Sequence, residues 1–423
     1  MPMSSESRSR LFRVREEGGE GAVVTNIELF FDLVFVFAIT QLSHHLLAHL
    51  TLIGAVETLV LFLAVWWLWI YTCWATNWLD PERNSVRVLL LAMMMGGLVL
   101  SAALPGAFAN SGLLFATAYV AMQLCRTLLI VWWSWGHNPA RARNFIRISF
   151  YFLLSMPLWL AGALVAGAES RLLLWAGALA VEYAGPFVFF RTPFIGRSDI
   201  GDWDISGSHM AERCSLFIII ALGEAVLVTG ATFAGLTPET PTIVAFAVSF
   251  IGSAAMWWVY FDTGAKRGGE AIESNADTGR LARDAYTYLH MPIVAGVIVT
   301  AVADEQMLSH PVGHHAGLSY ILVACGGPFL FLFGNLAFKW VTAERRWPPF
   351  SHLVGVALLL AAGLASFALH WSPLAVGIAA TAALIATAAW EWFSLNGGWQ
   401  RWTPWIAPKQ AANAAIAPED VPR

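Results

Sequence analysis

Residues 28–49 read Glu28-Leu-Phe-Phe-Asp32-Leu-Val-Phe-Val-Phe-Ala-Ile-Thr40-Gln-Leu-Ser-His44-His45-Leu-Leu-Ala-His49. Polar and apolar residues do not alternate here, as they would in a strand with one wet face. The apolar run has about the 20 residues with which a helix crosses roughly 30 Å of hydrocarbon. Backbone in lipid must satisfy its own hydrogen bonds, which a helix does within one segment. The stretch therefore reads as a membrane-spanning helix with two carboxylates in its opening turns. Eleven further runs follow at roughly 56–76, 86–108, 112–135, 145–167, 171–190, 211–234, 242–262, 285–307, 317–340, 350–370 and 373–394. The expected fold is an all-α membrane protein of about twelve transmembrane helices.

Composition points the same way. Of 423 residues, 58% are hydrophobic and 12% charged, about half the charged share of a soluble domain. The net charge of -4 is small and says little about partners; no basic run suggests nucleic acid, and no nucleic-acid partner is expected. Cys73, Cys125, Cys214 and Cys325 lie in or beside apolar runs without metal-ligand spacing and read as small helix residues. The polar, arginine-rich first 25 residues lack a cleavage-like site, so no cleavable signal peptide is expected.

Arginine and lysine orient the chain. The N-terminal tail holds Arg8, Arg10, Arg13 and Arg15, and the even-numbered loops and C-terminal tail hold most of the others, among them Arg83, Arg141, Arg191, Lys266 and Arg345. Together these places carry 20 of the 24 basic residues, against Arg171 alone in the odd-numbered loops. Both termini are therefore expected in the cytoplasm, with the protein in the cell membrane.

The chain also repeats. Glu28 opens the first span and Glu212 opens the seventh, 184 residues later. Trp69-Ile-Tyr71 matches Trp258-Val-Tyr260, and Gly97-Leu-Val-Leu-Ser matches Gly296-Val-Ile-Val-Thr, in the same order. These matches predict two related six-helix halves, at 26–192 and 209–396, joined by a cytoplasmic linker at 193–208 and flanked by tails at 1–25 and 397–423. Six spans per half make the repeats parallel, related by an axis along the membrane normal.

Charge at bilayer depth costs roughly 2.5–3.5 kcal/mol per residue on insertion scales, so charged residues within spans are the functional candidates. Glu28 and Asp32, four apart, share a helix face. Glu28 fits the favourable start of a helix, whereas Asp32 lies deeper and needs a partner or water. His209, Glu212 and Arg213 open the seventh span and are expected to form an ion-pair cluster at the cytoplasmic surface. Glu224 lies eleven residues beyond Arg213, about 16 Å along the helix and out of its reach, and is the leading binding candidate. Arg126 sits mid-span and is expected to pair with Asp32, Glu182 or Glu224. Glu182 precedes Gly185-Pro186, which either only kinks the sixth helix or breaks it and frees backbone carbonyls. Pro157, Pro292 and Pro328 offer the same, and His290 precedes Pro292. These nine residues, Glu28, Asp32, Arg126, Glu182, His209, Glu212, Arg213, Glu224 and His290, are candidates for binding a small solute or ion. His44, His45 and His49 cluster at the outer end of the first span.

No nucleophile elbow, phosphate loop, nucleotide fingerprint or zinc-protease helix occurs. Neither a catalytic set, a metal nor a cofactor is expected, and the partners are the lipid bilayer and a small solute or ion. A transporter or channel leads over a membrane-embedded lipid-modifying enzyme and a membrane scaffold or sensor. Oligomeric state is left open.

Three segments carry a family likeness: Glu28-Leu-Phe-Phe-Asp-Leu-Val-Phe-Val-Phe-Ala-Ile-Thr, His209-Met-Ala-Glu-Arg-Cys-Ser-Leu-Phe-Ile-Ile-Ile-Ala-Leu-Gly-Glu224, and His290-Met-Pro-Ile-Val-Ala-Gly296. In these the chain resembles the bacterial low temperature requirement A protein family along essentially its whole length. The resemblance implies a multi-pass membrane protein linked to growth in the cold, and brings no established activity or substrate. A fainter likeness exists to potassium channels with a Phe-Ser-Asp signature on the first helix. Phe30-Phe31-Asp32 replaces the serine of that signature, and the second half has Ser215-Leu216 where an aspartate is expected. That likeness implies ion conduction.

Overall fold

A computed structural model describes Leu11 and residues 24–136, 138–198, 206–262, 283–342 and 347–395. The rest of both tails, part of the linker at 193–208 and much of the loop after the eighth helix lie outside the described residues, along with many of the arginines that orient the chain. The described residues form twelve helices: α1 Asn26–Ala48, α2 Leu52–Trp78, α3 Asn84–Ala103, α4 Gly112–Ser134, α5 Pro139–Leu164, α6 Ala168–Phe187, α7 Gly207–Ala234, α8 Thr240–Phe261, α9 His290–Ser309, α10 Leu318–Thr342, α11 Phe350–Leu369 and α12 Pro373–Leu395. No strand is found among them. Eleven of the twelve are long and apolar enough to cross a bilayer; α6 alone falls short. It carries Glu169, Arg171 and Glu182 within 20 residues.

Several helices start earlier than hydropathy predicts, because polar caps extend them past the apolar run. Asn138 accepts from the Arg141 N–H at 2.9 Å and starts α5 at Pro139. Ser206 accepts from His209 N–H at 3.3 Å and starts α7 at Gly207. Thr25 and Glu28 form a reciprocal capping box on α1.

Within residues 26–187, α1 packs on α2 and α3, α3 on α4, α4 on α5, α5 on α6, and α2 on α4 and α6. Within residues 207–395, α7 packs on α8 and α9, α9 on α10, α10 on α11, α11 on α12, and α8 on α10 and α12. The same seven pairings thus recur with every helix number raised by six. Between the two sets, α1 packs on α7 and α9, and α2 on α7. Helix α2 is the most enclosed span, and its Trp66 and Trp74 donate to Thr287 in the wide turn Arg283–Tyr288 that leads into α9.

Small residues allow a close approach of α9 and α10. A Cβ on Gly296 would lie 2.5 Å from the Phe331 backbone nitrogen, and one on Gly327 would lie 2.6 Å from that of Thr300. Pro157 and Pro328 sit inside unbroken helices. Pro186 likewise lies inside helix α6. Helix α6 ends at Phe187, and the Gly185 carbonyl accepts from Phe190 N–H at 2.8 Å.

Candidate functional site

The first helices of the two sets, α1 and α7, meet through a closed ionic cluster. Glu28, Asp32, His209 and Arg213 are all fully buried, which corrects the expectation of a surface cluster. The correction is one of packing, since Arg213 turns inward between α1 and α2. Its Nη2 and Nε donate to the two carboxylate oxygens of Asp32 at 2.6 and 3.2 Å. Its Nη1 donates to Glu28 Oε1 at 3.1 Å and to Thr76 Oγ1 at 3.2 Å. The fork geometry suits a planar guanidinium between carboxylates.

The remaining valences are also filled. Trp69 Nε1 donates to Asp32 Oδ1 at 2.7 Å. Glu28 Oε1 lies 2.9 Å from His209 Nε2, and Glu28 Oε2 accepts from the Thr25 N–H and hydroxyl. His209 Nδ1 lies 3.3 Å from Asn77 Nδ2, and Asn77 exchanges hydrogen bonds with the Ser206 backbone. Glu212 stands apart and accepts from the Val24 N–H at 3.1 Å. Burial on this scale demands such saturation, because an unpaired charge in apolar surroundings costs several kcal/mol.

An aromatic layer lies one turn further along. Phe35 follows Asp32 on α1, and Phe217 follows Arg213 on α7; both are buried. Trp69 packs against Phe217 with ring centroids 4.2 Å apart, and Trp66 meets the same ring edge-on at 6.0 Å. Beyond this layer Glu224 appears, half-buried, about 18 Å along from the level of Glu28. Its Oε1 accepts from the Thr40 hydroxyl at 2.7 Å.

A second polar network occupies α2, α4, α5 and α6. Arg126 has no carboxylate at hydrogen-bonding distance, contrary to the expected direct pair. It donates to Leu68 O at 3.2 Å, to Thr72 Oγ1 at 3.1 Å and, in a short contact, to Gln123 Oε1. Gln123 donates to Tyr119 Oη at 3.1 Å, and Tyr119 donates to Glu182 Oε2 at 2.5 Å. Glu182 Oε1 accepts from Ser155 and Trp159. Arg126 and Glu182 are thus joined through two neutral side chains.

The two networks border the same helix. Thr72 receives Arg126 and Thr76, one turn on, receives Arg213. His290 sits outside both, buried between Tyr260 Oη and Ala285 O at 2.9 Å each.

Sequence reading missed several partners. On α4, Tyr119, Gln123 and Arg126 recur at spacings of four and three, a polar stripe in an apolar helix that marks one buried face. Lys339 and Glu391 form another buried pair, at 2.8 Å between α10 and α12. Arg171 is no loop charge: it is buried in α6 and donates to the carbonyls of Gly162, Ala107 and Ala109.

Among the described residues no group of three or more His, Cys, Asp or Glu is arranged to hold a metal ion. His45 lies 3.6 Å from Glu57, and its ring centroid is 4.7 Å from that of His49.

Comparison with known proteins places the chain in a family. A protein of Rhizobium meliloti (strain 1021) described as "Uncharacterized protein RA0937" is 40% identical over 387 residues, covering 90% of this chain and 92% of its own length. The profile of the family described as "Bacterial low temperature requirement A protein (LtrA)" matches residues 23–389. The chain belongs to the bacterial low temperature requirement A protein family.

Proposed function

We propose that this protein transports a small solute or ion across the cell membrane, with two related six-helix halves, 26–192 and 209–396, and both termini in the cytoplasm. The ionic cluster and aromatic layer between α1 and α7 close the cytoplasmic side, and Glu224 binds the transported species in the outer half. The observation that carries the reading is the contact between Thr40 and Glu224. These residues are 184 positions apart, the offset that relates Glu28 to Glu212. In a two-fold arrangement only residues at the axis touch their own equivalents. The recurrence of seven helix pairings supports the same axis. Glu224 then stands where the halves meet, as a carboxylate that is only half-buried, whereas Glu28 and Asp32 are enclosed by donors. Transporters commonly bind their cargo between repeats.

The test is flux in proteoliposomes carrying the full chain, with fluorescent reporters of protons, sodium and potassium and a panel of radiolabelled small solutes. Wild type should move one species, and Glu224→Gln should abolish that movement while keeping the helical content and elution profile. Flux of nothing by wild type, or undiminished flux by Glu224→Gln, overturns the reading.

A further inference from the structure

The outward side of α3 and α4 carries an open groove of about 920 Å³ that none of the networks above uses. It arises from side-chain size. Gly96 and Ala121 leave a furrow between the helices, and Met93 and Met122 form its floor. A Cβ on Gly96 would lie 2.8 Å from Met122 Cγ, so the Met122 side chain lies directly over this glycine. Methionine adapts its shape to flexible apolar chains.

The groove is polar at one end. Asn84 and Ser85, exposed in the first turn of α3, line its mouth, while its far end is formed by Val99 and Leu114. The hydroxyl of Thr117, along its wall, is turned back onto Leu113 O at 2.7 Å. Next to the mouth stand two exposed ion pairs, Arg83–Asp80 at 3.1 Å and Arg87–Glu82 at 2.8 Å. Two cations and two anions therefore stand beside the mouth.

From Asn84 to Val99 is fifteen residues, about 22 Å of helix, against the ~15 Å of hydrocarbon in one leaflet. An apolar furrow of that length below a mouth with both charges nearby matches an acyl chain below a zwitterionic headgroup.

We propose that this groove is a binding site for a zwitterionic phospholipid of the leaflet at the α3 start. Its tails lie over Met93 and Met122. Its phosphate meets Asn84, Ser85 and the arginines at the α3 N-terminus, and its ammonium faces Asp80 and Glu82. The floor connects inward: Val34, Phe35 and Met122 converge at Gly97, where a Cβ would lie 2.9 Å from Val34 Cγ1. A bound tail thus presses toward the helix that carries Asp32. The inference does not depend on transport.

The test uses the full chain in bilayers doped with diazirine-tailed phosphatidylethanolamine or phosphatidylglycerol, followed by peptide mapping and by native mass spectrometry of the purified protein. The expected result is crosslinking concentrated on the groove residues of α3 and α4, severalfold stronger for phosphatidylethanolamine, with a stoichiometric lipid of that class retained. Ala121→Trp, which fills the furrow, should remove both signals. The Asn84→Ala/Ser85→Ala variant, altered only at exposed positions, should erase the headgroup preference. Labelling of α3 and α4 no stronger than that of the exposed α11 residues Leu360 and Leu364, equal labelling by the two lipids, or crosslinks between two copies through this face would each overturn the proposal.

Discussion

Removal of the Arg213 guanidinium isolates the energetics of the contact between α1 and α7. In Arg213→Met, four hydrogen bonds disappear: two to Asp32, one to Glu28 and one to Thr76. Asp32 keeps only Trp69, and Glu28 keeps His209 and Thr25. Both carboxylates are fully buried, so water cannot replace the lost donors. Breaking a buried pair from one side typically costs about 3–5 kcal/mol. That is a large part of a stability margin of roughly 5–15 kcal/mol. The expected outcome is a loss of at least about 3 kcal/mol in reversible unfolding in mixed micelles, followed by tryptophan fluorescence. Replacing the partner as well removes one uncompensated charge, because an apolar pair of similar volume is often neutral. Asp32→Leu/Arg213→Met should therefore be more stable than Arg213→Met alone, with a coupling above about 1 kcal/mol in the double-mutant cycle. A single-mutant loss below about 1 kcal/mol, or additive single mutants, would refute the view that this cluster holds the two helix sets together.

Three further outcomes follow from the same geometry. Glu182→Leu strands the donors Tyr119, Ser155 and Trp159 and should lower the thermal midpoint well beyond Glu182→Gln; an unfilled donor costs about 1–3 kcal/mol, and nanoscale fluorimetry reads the difference. Gly296→Ala should destabilise by about 1–3 kcal/mol or more, because its Cβ meets rigid backbone on α10 rather than a movable side chain; thermal unfolding of the purified variant measures this. Cys125 is exposed while Cys73, Cys214 and Cys325 are buried, so a small apolar maleimide should modify Cys125 first in the folded protein, as intact mass and peptide mapping will report.

The spans were legible because hydropathy length is a strict physical requirement of the bilayer, and eleven helices meet it in the described residues. Helix α6 was found by its apolar run, although its ionisable residues weaken the signal. The Thr25–Glu28 box is likewise local and readable as a three-residue spacing. Long-range pairing is different. Asp32 announced that it needed a partner, but nothing local to it specifies Arg213, 181 residues away. Arg126 announced a need for charge and instead met neutral acceptors, since a guanidinium is satisfied by carbonyl, hydroxyl and amide oxygens as well as by carboxylate. Trp69 was noticed as one arm of a repeat, and its role as donor to Asp32 emerged only from the packing of α2 on α1.

The difference in enclosure between Asp32 and Glu224 decides which carboxylate suits a changing occupant. A group that binds and releases a solute must exchange partners at modest cost, and the oxygens of Asp32 are held by a bidentate arginine and an indole, with an aromatic layer on one side. Opening that site means breaking a buried charge pair, the step that Arg213→Met measures. Glu224 accepts one hydrogen bond, from the Thr40 hydroxyl at 2.7 Å, and retains accessible surface. A single hydrogen bond to a carboxylate is worth about 1.5–3 kcal/mol, less than the several bonds that hold Asp32 and within reach of an entering cation. The enclosed cluster is thus suited to holding the two helix sets in register, and the half-buried carboxylate beyond it to binding; Glu224→Gln should separate these roles by removing flux without the stability loss of Arg213→Met.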